Sequence, residues 1–117
     1  MYLTKDGPLE DYEYYSREGA KGFRNKSLLG PENSATRFAM RTYIVESGGH
    51  SAPDNHPHEH GVYVISGVLQ VRVGEQLLEL NPGDVLHIAA HEPHQFLNPW
   101  AQPAKFLCVR DFPEPTS

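Results

Sequence analysis

Cysteine is almost absent from this sequence, since Cys108 is the only one among 117 residues. A lone cysteine cannot form a disulfide within the chain, so the simplest expectation is a cytoplasmic protein. Long apolar runs are absent as well, and none approaches the roughly 20 residues that span a bilayer. The polar and acidic start predicts no signal peptide, so no membrane partner is expected.

Basic residues are fewer than acidic ones, with 10 Lys and Arg against 15 Asp and Glu, which gives a net charge of −5. No run of basic residues forms a stripe, so nucleic acid is not expected as a partner. Glycine and proline, in contrast, contribute 10 residues each. This content favours short strands and tight turns over a helical bundle, in a chain whose length fits one domain.

Alternating apolar and polar residues predict a strand over 36–46, and further short strands follow as far as residue 110. Turn signals such as the NPGD segment at 81–84 separate these strands. About seven or eight strands without a convincing helix predict an all-β sandwich or barrel. Periodicity alone leaves a jelly-roll barrel, an immunoglobulin-like sandwich and an open Greek key as alternatives.

The pattern divides the chain into three parts. Residues 1–35 carry aromatic side chains without a clean period, and we expect an N-terminal arm that packs on the barrel or on a partner. Residues 36–112 are expected to form the barrel, and residues 113–117 a tail.

Histidine is the unusual residue of this sequence. The seven histidines fall in two groups, which are His50, His56, His58 and His60, then His87, His91 and His94. Histidine is the commonest metal-binding side chain, and a metal site needs several ligands close together. Asp54 and His56 are two residues apart and so share one face of an extended chain, while His60 and His94 each begin a predicted strand. Imidazoles together with one carboxylate suit Fe(II), Mn(II), Zn(II), Ni(II) or Cu(II).

The order of these elements resembles the cupin superfamily, whose members carry two sequence motifs. The first motif has Gly, His, His, Glu and Gly at fixed spacing, and the second has Gly, Pro, Gly, His and Asn. The matching positions here are Gly48, Asp54, His56, His60 and Gly67, then Gly83, Ala89, His91, His94 and Asn98. The resemblance implies a double-stranded β-helix, or jelly-roll barrel, in which Asp54, His56, His60 and His94 bind one divalent metal ion per chain.

Two departures from the first motif concern the ligands. His60 replaces the glutamate, which resembles a four-histidine subgroup of small cupins, whereas Asp54 replaces the first histidine and departs from both patterns. Aspartate is shorter than histidine and also common in turns. His58 is the rival ligand, because the segment HPHEH places three histidines at alternate positions. The family pattern implies a pocket-lining role for His58 instead.

The strands that follow the ligands are expected to supply the wall of a pocket. Phe96 lies two residues after His94 and shares its face, and Phe106 and Cys108 share one face of a later strand. Tyr43 and Arg41 could reach the pocket mouth. Arg41 would suit an anionic substrate there, although an exposed charged face is the alternative interpretation.

Fold does not define function here, because cupins host many unrelated activities. The ligand set leaves coordination positions open, which favours a metal-dependent enzyme of dioxygenase-like oxidoreductase type that acts on a small organic molecule. The alternatives are a Lewis-acid sugar or uronate isomerase and a non-catalytic module that binds a small molecule. No catalytic residue is identified apart from the ligands. Small cupins that resemble this chain also imply a two-fold homodimer formed through the N-terminal segment.

Overall fold

The computed structural model describes residues 1–33 and 37–111, which form nine β-strands and two short 3-10 helices. The strands are β1 (Glu13–Tyr14), β2 (Lys21–Leu29), β3 (Phe38–His50), β4 (His60–Ser66), β5 (Leu69–Val73), β6 (Gln76–Leu80), β7 (Val85–Ile88), β8 (His94–Leu97) and β9 (Ala104–Asp111). The 3-10 helices are Leu9–Asp11 and Pro31–Asn33. The expected all-β class is confirmed, and none of the described helices has the length and apolar character to cross a membrane.

Strand β3 organises the sheet. Its first part pairs with β9, from Phe38 opposite Asp111 to Val45 opposite Ala104, and its end pairs with β8 through His50. The strand order is β6-β5-β8-β3-β9-β4-β7, and β2, with β1 beside it, also pairs with β3. Because β3 pairs with β9 along its first part and with β8 at its end, the sheet curves towards a closed barrel.

The barrel interior is filled by apolar side chains that alternate along the strands. Val62 and Val64 on β4, and Leu69 and Val71 on β5, are at most 1% exposed, as the two-residue period of a strand predicts. Phe106 on β9 lies opposite Val64 and is fully buried. Each such side chain stabilises the fold by about 1.5–3 kcal/mol.

The N-terminal residues lie against the β3–β9 part of the sheet. Tyr12 is buried, and its hydroxyl contacts Asp6 and lies 2.7 Å from the hydroxyl of Thr42. Asp6 also forms an ion pair with Lys105 on β9. Thr42 is therefore only 2% exposed. The predicted boundary between arm and barrel at residue 36, and the predicted tail at 113–117, lie outside the described residues.

Two residues of the sequence motifs shape turns rather than the site. Gly67 has a φ of 74°, and a Cβ there would lie 2.2 Å from the carbonyl oxygen of Pro103, so a larger residue would collide with the backbone before β9. Asn98 is 1% exposed, and its amide donates to the carbonyls of Val45 at 2.9 Å and Gln102 at 2.7 Å. The first bond ties the residue after β8 to β3, and the second lies within the connection between β8 and β9.

Candidate metal centre

Three histidines from separate parts of the chain meet at a cavity in the barrel. His60 begins β4, His94 begins β8, and His56 lies in the loop between β3 and β4. Each offers one ring nitrogen, and these three atoms all lie within 4.8 Å of one another. Two nitrogens that bind one zinc ion are at most about 4.2 Å apart, because each zinc–histidine bond is about 2.0–2.1 Å long. Small movements of these side chains would therefore let the three nitrogens share one ion. We call these three residues the histidine triad.

Backbone hydrogen bonds fix the loop that carries His56. The backbone N–H groups of Asp54 and His94 each donate to the carbonyl of the other at 2.9 Å. The N–H of His91 donates to the carbonyl of His56 at 2.6 Å. His91 stands where the motif has glycine and keeps a left-handed φ of 65°. The loop is thus attached to β8 at Asp54 and to the turn before β8 at His56.

Burial favours the neutral form of two histidines of the triad, His56 and His60. Burial, together with repulsion from nearby histidines, lowers the pKa of His60 to about 3. Burial also lowers the pKa of His56, although Asp54 opposes this shift. His94 donates from Nδ1 to the carbonyl of Glu92 at 2.9 Å, which leaves Nε2 of the neutral ring free of a proton.

His60 provides a further test of whether a metal fits. Its Nδ1 is buried and has no hydrogen-bond partner within the described part of the chain. A buried nitrogen without a partner is unfavourable unless another group satisfies it. Neutral imidazoles are also the form that binds metal, so the triad fits a divalent ion.

Asp54 lies beside the triad, but the group of atoms within 4.8 Å does not include its carboxylate. Its Oδ2 is 3.2 Å from Nε2 of His56 and also contacts the guanidinium of Arg17. Metal binding by Asp54 would require the carboxylate to turn from Arg17 towards the triad. Its role as the fourth ligand therefore stays a prediction.

His58, the rival ligand, stacks on His56 with 4.7 Å between ring centroids. Nη1 of Arg110 lies 3.4 Å from its Nδ1 and 3.5 Å from its Nε2. Burial and this guanidinium lower the pKa of His58 to about 4. A cation beside both ring nitrogens opposes the approach of a metal ion, so the electrostatics favour a site without His58. His58 also lies outside the cavity lining.

The triad faces a cavity of about 190 Å³ whose wall is largely aromatic. Phe23, Tyr43 and Phe96 line it, with ring centroids 5.2 Å apart for Phe23 and Tyr43 and 6.4 Å apart for Phe23 and Phe96. Three of the predicted pocket residues, Tyr43, Phe96 and Cys108, are among the lining residues. Burial raises the pKa of the Cys108 thiol to about 12, so the thiol is neutral.

Two other predicted pocket residues lie behind or away from this wall. Phe106 packs behind it, with its ring 4.7 Å from Phe96 and 5.0 Å from Tyr43. Arg41 lines a separate depression beside Lys26. Arginine has a long, flexible side chain. The strand face on which Arg41 lies therefore does not determine the position of its guanidinium group.

The N-terminal segment supplies cavity residues that the sequence pattern does not indicate. Tyr15, Arg17 and Ala20 line the cavity, and Ser51 and Ala52 join them after the end of β3. Residues 15–20 have no strand or helix period. In the sequence, the aromatic residues of this segment predict that it packs on the barrel or on a partner, and they do not indicate a binding site.

A curved antiparallel sheet that holds three histidines beside an aromatic cavity defines a small barrel able to carry a metal site. Comparison with protein families identifies the barrel, since residues 41–110 match the Cupin domain family. The chain belongs to this family. The jelly-roll fold implied by the two motifs is therefore confirmed.

Individual relatives are also found. The chain is 33% identical over 113 residues to 1-methylthio-D-xylulose 5-phosphate methylsulfurylase of Rhodospirillum rubrum. This alignment covers 92% of this chain and 72% of that protein. The polyketide cyclase RemF from Streptomyces resistomycificus has a TM-score of 0.84 and 27% identity, over 97% of this chain and 82% of that one. A sugar phosphate isomerase from Silicibacter pomeroyi has a TM-score of 0.70 and 25% identity, over 79% of this chain and 60% of that one.

Proposed function

We propose that the protein is a metal-dependent enzyme that binds one divalent ion at the histidine triad and activates an oxygen of a small organic substrate. The observation that carries this proposal is the convergence of three histidine nitrogens within 4.8 Å beside a cavity of about 190 Å³. A bound divalent ion supplies Lewis-acid chemistry, because it withdraws electron density from a carbonyl or hydroxyl oxygen. A cytoplasmic location, favoured by the single cysteine, is part of the proposal.

The comparisons support a Lewis-acid reaction over the dioxygenase-like one expected from the ligand types. The relatives described above include a methylsulfurylase of a xylulose phosphate, a polyketide cyclase and a sugar phosphate isomerase. Ketones and sugar phosphates contain or form carbonyl groups, and a carbonyl acidifies the C–H bonds beside it. Polarising that oxygen eases removal of the neighbouring proton, which is a step shared by many isomerisations and cyclisations.

Other residues around the cavity have roles in the proposed reaction besides metal binding. Phe23, Tyr43 and Phe96 offer apolar surface to the body of the substrate and keep water from the reacting atoms. Asp54 carries the carboxylate beside His56, and it is suited either to complete the ligand set or to accept the proton from carbon.

Hydrogen exchange at carbon tests the proposal without knowledge of the true substrate. Enolisable ketones and sugar phosphates are incubated in D₂O with protein that has been loaded in turn with Mn(II), Fe(II), Zn(II), Ni(II) or Cu(II), and NMR follows deuterium at the carbon beside the carbonyl. We expect exchange that requires metal and is lost in His60→Gln. An oxygen electrode runs in parallel. Oxygen consumption without exchange would favour a dioxygenase-like enzyme, and binding with neither would favour a non-catalytic module.

Metal titration of two variants tests the ligand set. Asp54→Ala should weaken metal binding by at least about tenfold, because a charged donor is lost. His58→Ala is the matched control and should change the affinity little, because Arg110 already lies beside both of its ring nitrogens. The opposite result would mean that His58 completes the site and that Asp54 only contacts Arg17.

A further inference from the structure

We infer that Arg17 binds an anionic group of the substrate, so that the cavity takes a small apolar or aromatic molecule that carries a carboxylate or a phosphate. The inference rests on the proposed function, because it assigns the substrate class of the same site. Among the described residues, Arg17 is the only lysine or arginine that lines the cavity.

Packing holds Arg17 at this position. It begins the turn between β1 and β2, where the N–H of Ala20 donates to the carbonyl of Arg17 at 3.1 Å. Gly19 in this turn has a φ of 90° and lies against the barrel, since a Cβ there would be 3.5 Å from Cβ of Ala52. The backbone of Arg17 is therefore fixed relative to the triad.

The guanidinium of Arg17 retains donors for a ligand. Its Nη1 contacts Oδ2 of Asp54, and within residues 1–33 and 37–111 it has no other ion-pair partner. A guanidinium has several N–H donors in a planar fork, which matches the oxygens of a carboxylate or a phosphate. The side chain of Arg17 is 56% exposed and that of Asp54 18% exposed, so an incoming anion can reach the guanidinium from solvent.

The distances connect this cation to the metal centre. Oδ2 of Asp54 contacts Arg17 on one side and lies 3.2 Å from Nε2 of His56 on the other. One carboxylate thus separates the guanidinium from the triad. An anion that joins or replaces Asp54 at Arg17 would bring the rest of its molecule against the triad and the aromatic wall. A carbonyl compound with an acidic group near the carbonyl matches all three features.

The simpler alternative is that Arg17 only neutralises Asp54, and ligand binding separates the two cases. Calorimetry measures the affinity of metal-free and zinc-loaded protein for phenylpyruvate, its methyl ester and phenyl phosphate. Wild-type protein should bind one of the anions about tenfold more tightly than the ester. Arg17→Gln should remove this preference, and Arg17→Lys should retain part of it. Arg72→Gln, which changes an exposed arginine on β5, is the matched control and should behave as wild type.

Each outcome bears on the inference. A preference for phenyl phosphate would identify a phosphate as the group bound by Arg17, and a preference for phenylpyruvate would identify a carboxylate. Equal affinity for anions and ester, an unchanged preference in Arg17→Gln, or no binding of any probe at millimolar concentration would overturn the inference. The measurement needs no turnover, so a failure of deuterium exchange alone would contradict the proposed function and leave the anion preference standing.

Discussion

Acid should destabilise the metal-free protein, because burial opposes protonation of His60 and His58 while the protein is folded. Burial lowers the pKa of His60 to about 3, whereas a histidine in the unfolded chain has a pKa of about 6.5. Between these values the unfolded chain binds a proton at this position and the folded protein does not. Proton uptake at His60 therefore does not reduce stability above about pH 6.5. Below this pH the stability falls, and the loss is complete near about pH 3.

The size of this effect follows from the two pKa values. At about pH 5, proton uptake by the unfolded chain at His60 lowers the free energy of unfolding by about 2 kcal/mol. His60 is only 7% exposed, so solvent screening removes little of this amount. His58 acts in the same direction, since burial and Arg110 lower its pKa to about 4. The effect of His60 alone is between about one eighth and two fifths of the roughly 5–15 kcal/mol that stabilises a typical domain.

Urea unfolding of wild type and His60→Gln with a chelator present, at about pH 7.5 and about pH 5, measures the effect of His60. Between these pH values the free energy of unfolding of wild type should fall by about 2 kcal/mol more than that of the variant. Equal falls would refute the reasoning, because they would mean that folding does not hinder protonation of His60.

Four further predictions concern other parts of the molecule. Burial raises the pKa of the Cys108 thiol to about 12, so a disulfide reagent should label the native protein slowly at neutral pH and the urea-unfolded protein at once; rapid native labelling would contradict this. His91→Gly should raise the free energy of unfolding by about 1 kcal/mol because φ is 65° at this exposed residue, whereas His91→Ala should give no such gain. Phe106→Ala should lower it by about 3–5 kcal/mol, and a loss below 1 kcal/mol in urea unfolding would show that the wall collapses around the gap. We also propose the two-fold homodimer, for which light scattering should give about twice the 13.1 kDa mass of the chain, and a monomer at micromolar concentration would exclude it.

The strands could be predicted where one face of the chain is buried. The run VLQVRV at 68–73, in which apolar residues alternate, corresponds to β5, and QLLEL at 76–80 after the turn at Gly74 corresponds to β6. The end of β3 could not be predicted in this way. Ser47, Gly48 and Gly49 carry no apolar side chain, and the strand is held here by backbone hydrogen bonds of Gly48 and Gly49 to Asn98, the residue after β8.

The triad could be predicted as well. The spacing of His56, His60 and His94 matches the two sequence motifs, and the fold brings the three side chains together. The surroundings of the triad could not. Arg17 and Asp54 are 37 residues apart in sequence, and no period in the N-terminal segment indicates that they touch. The choice between Asp54 and His58 as a ligand likewise depends on where two guanidinium groups lie, which side-chain spacing does not encode.

The cavity is assembled from two parts of the chain that face different demands. The barrel residues form the core and also position the histidines, so most substitutions in the barrel would disturb the fold and the site together. The turn with Tyr15, Arg17 and Ala20 lines the cavity and carries none of the three histidines, although Tyr15 and Ala20 also pack against the core. Exchange of this short segment between related chains would change which molecules enter while the histidines stay in place. Divergence in selectivity, natural or engineered, therefore has its most accessible route through the residues that precede the barrel.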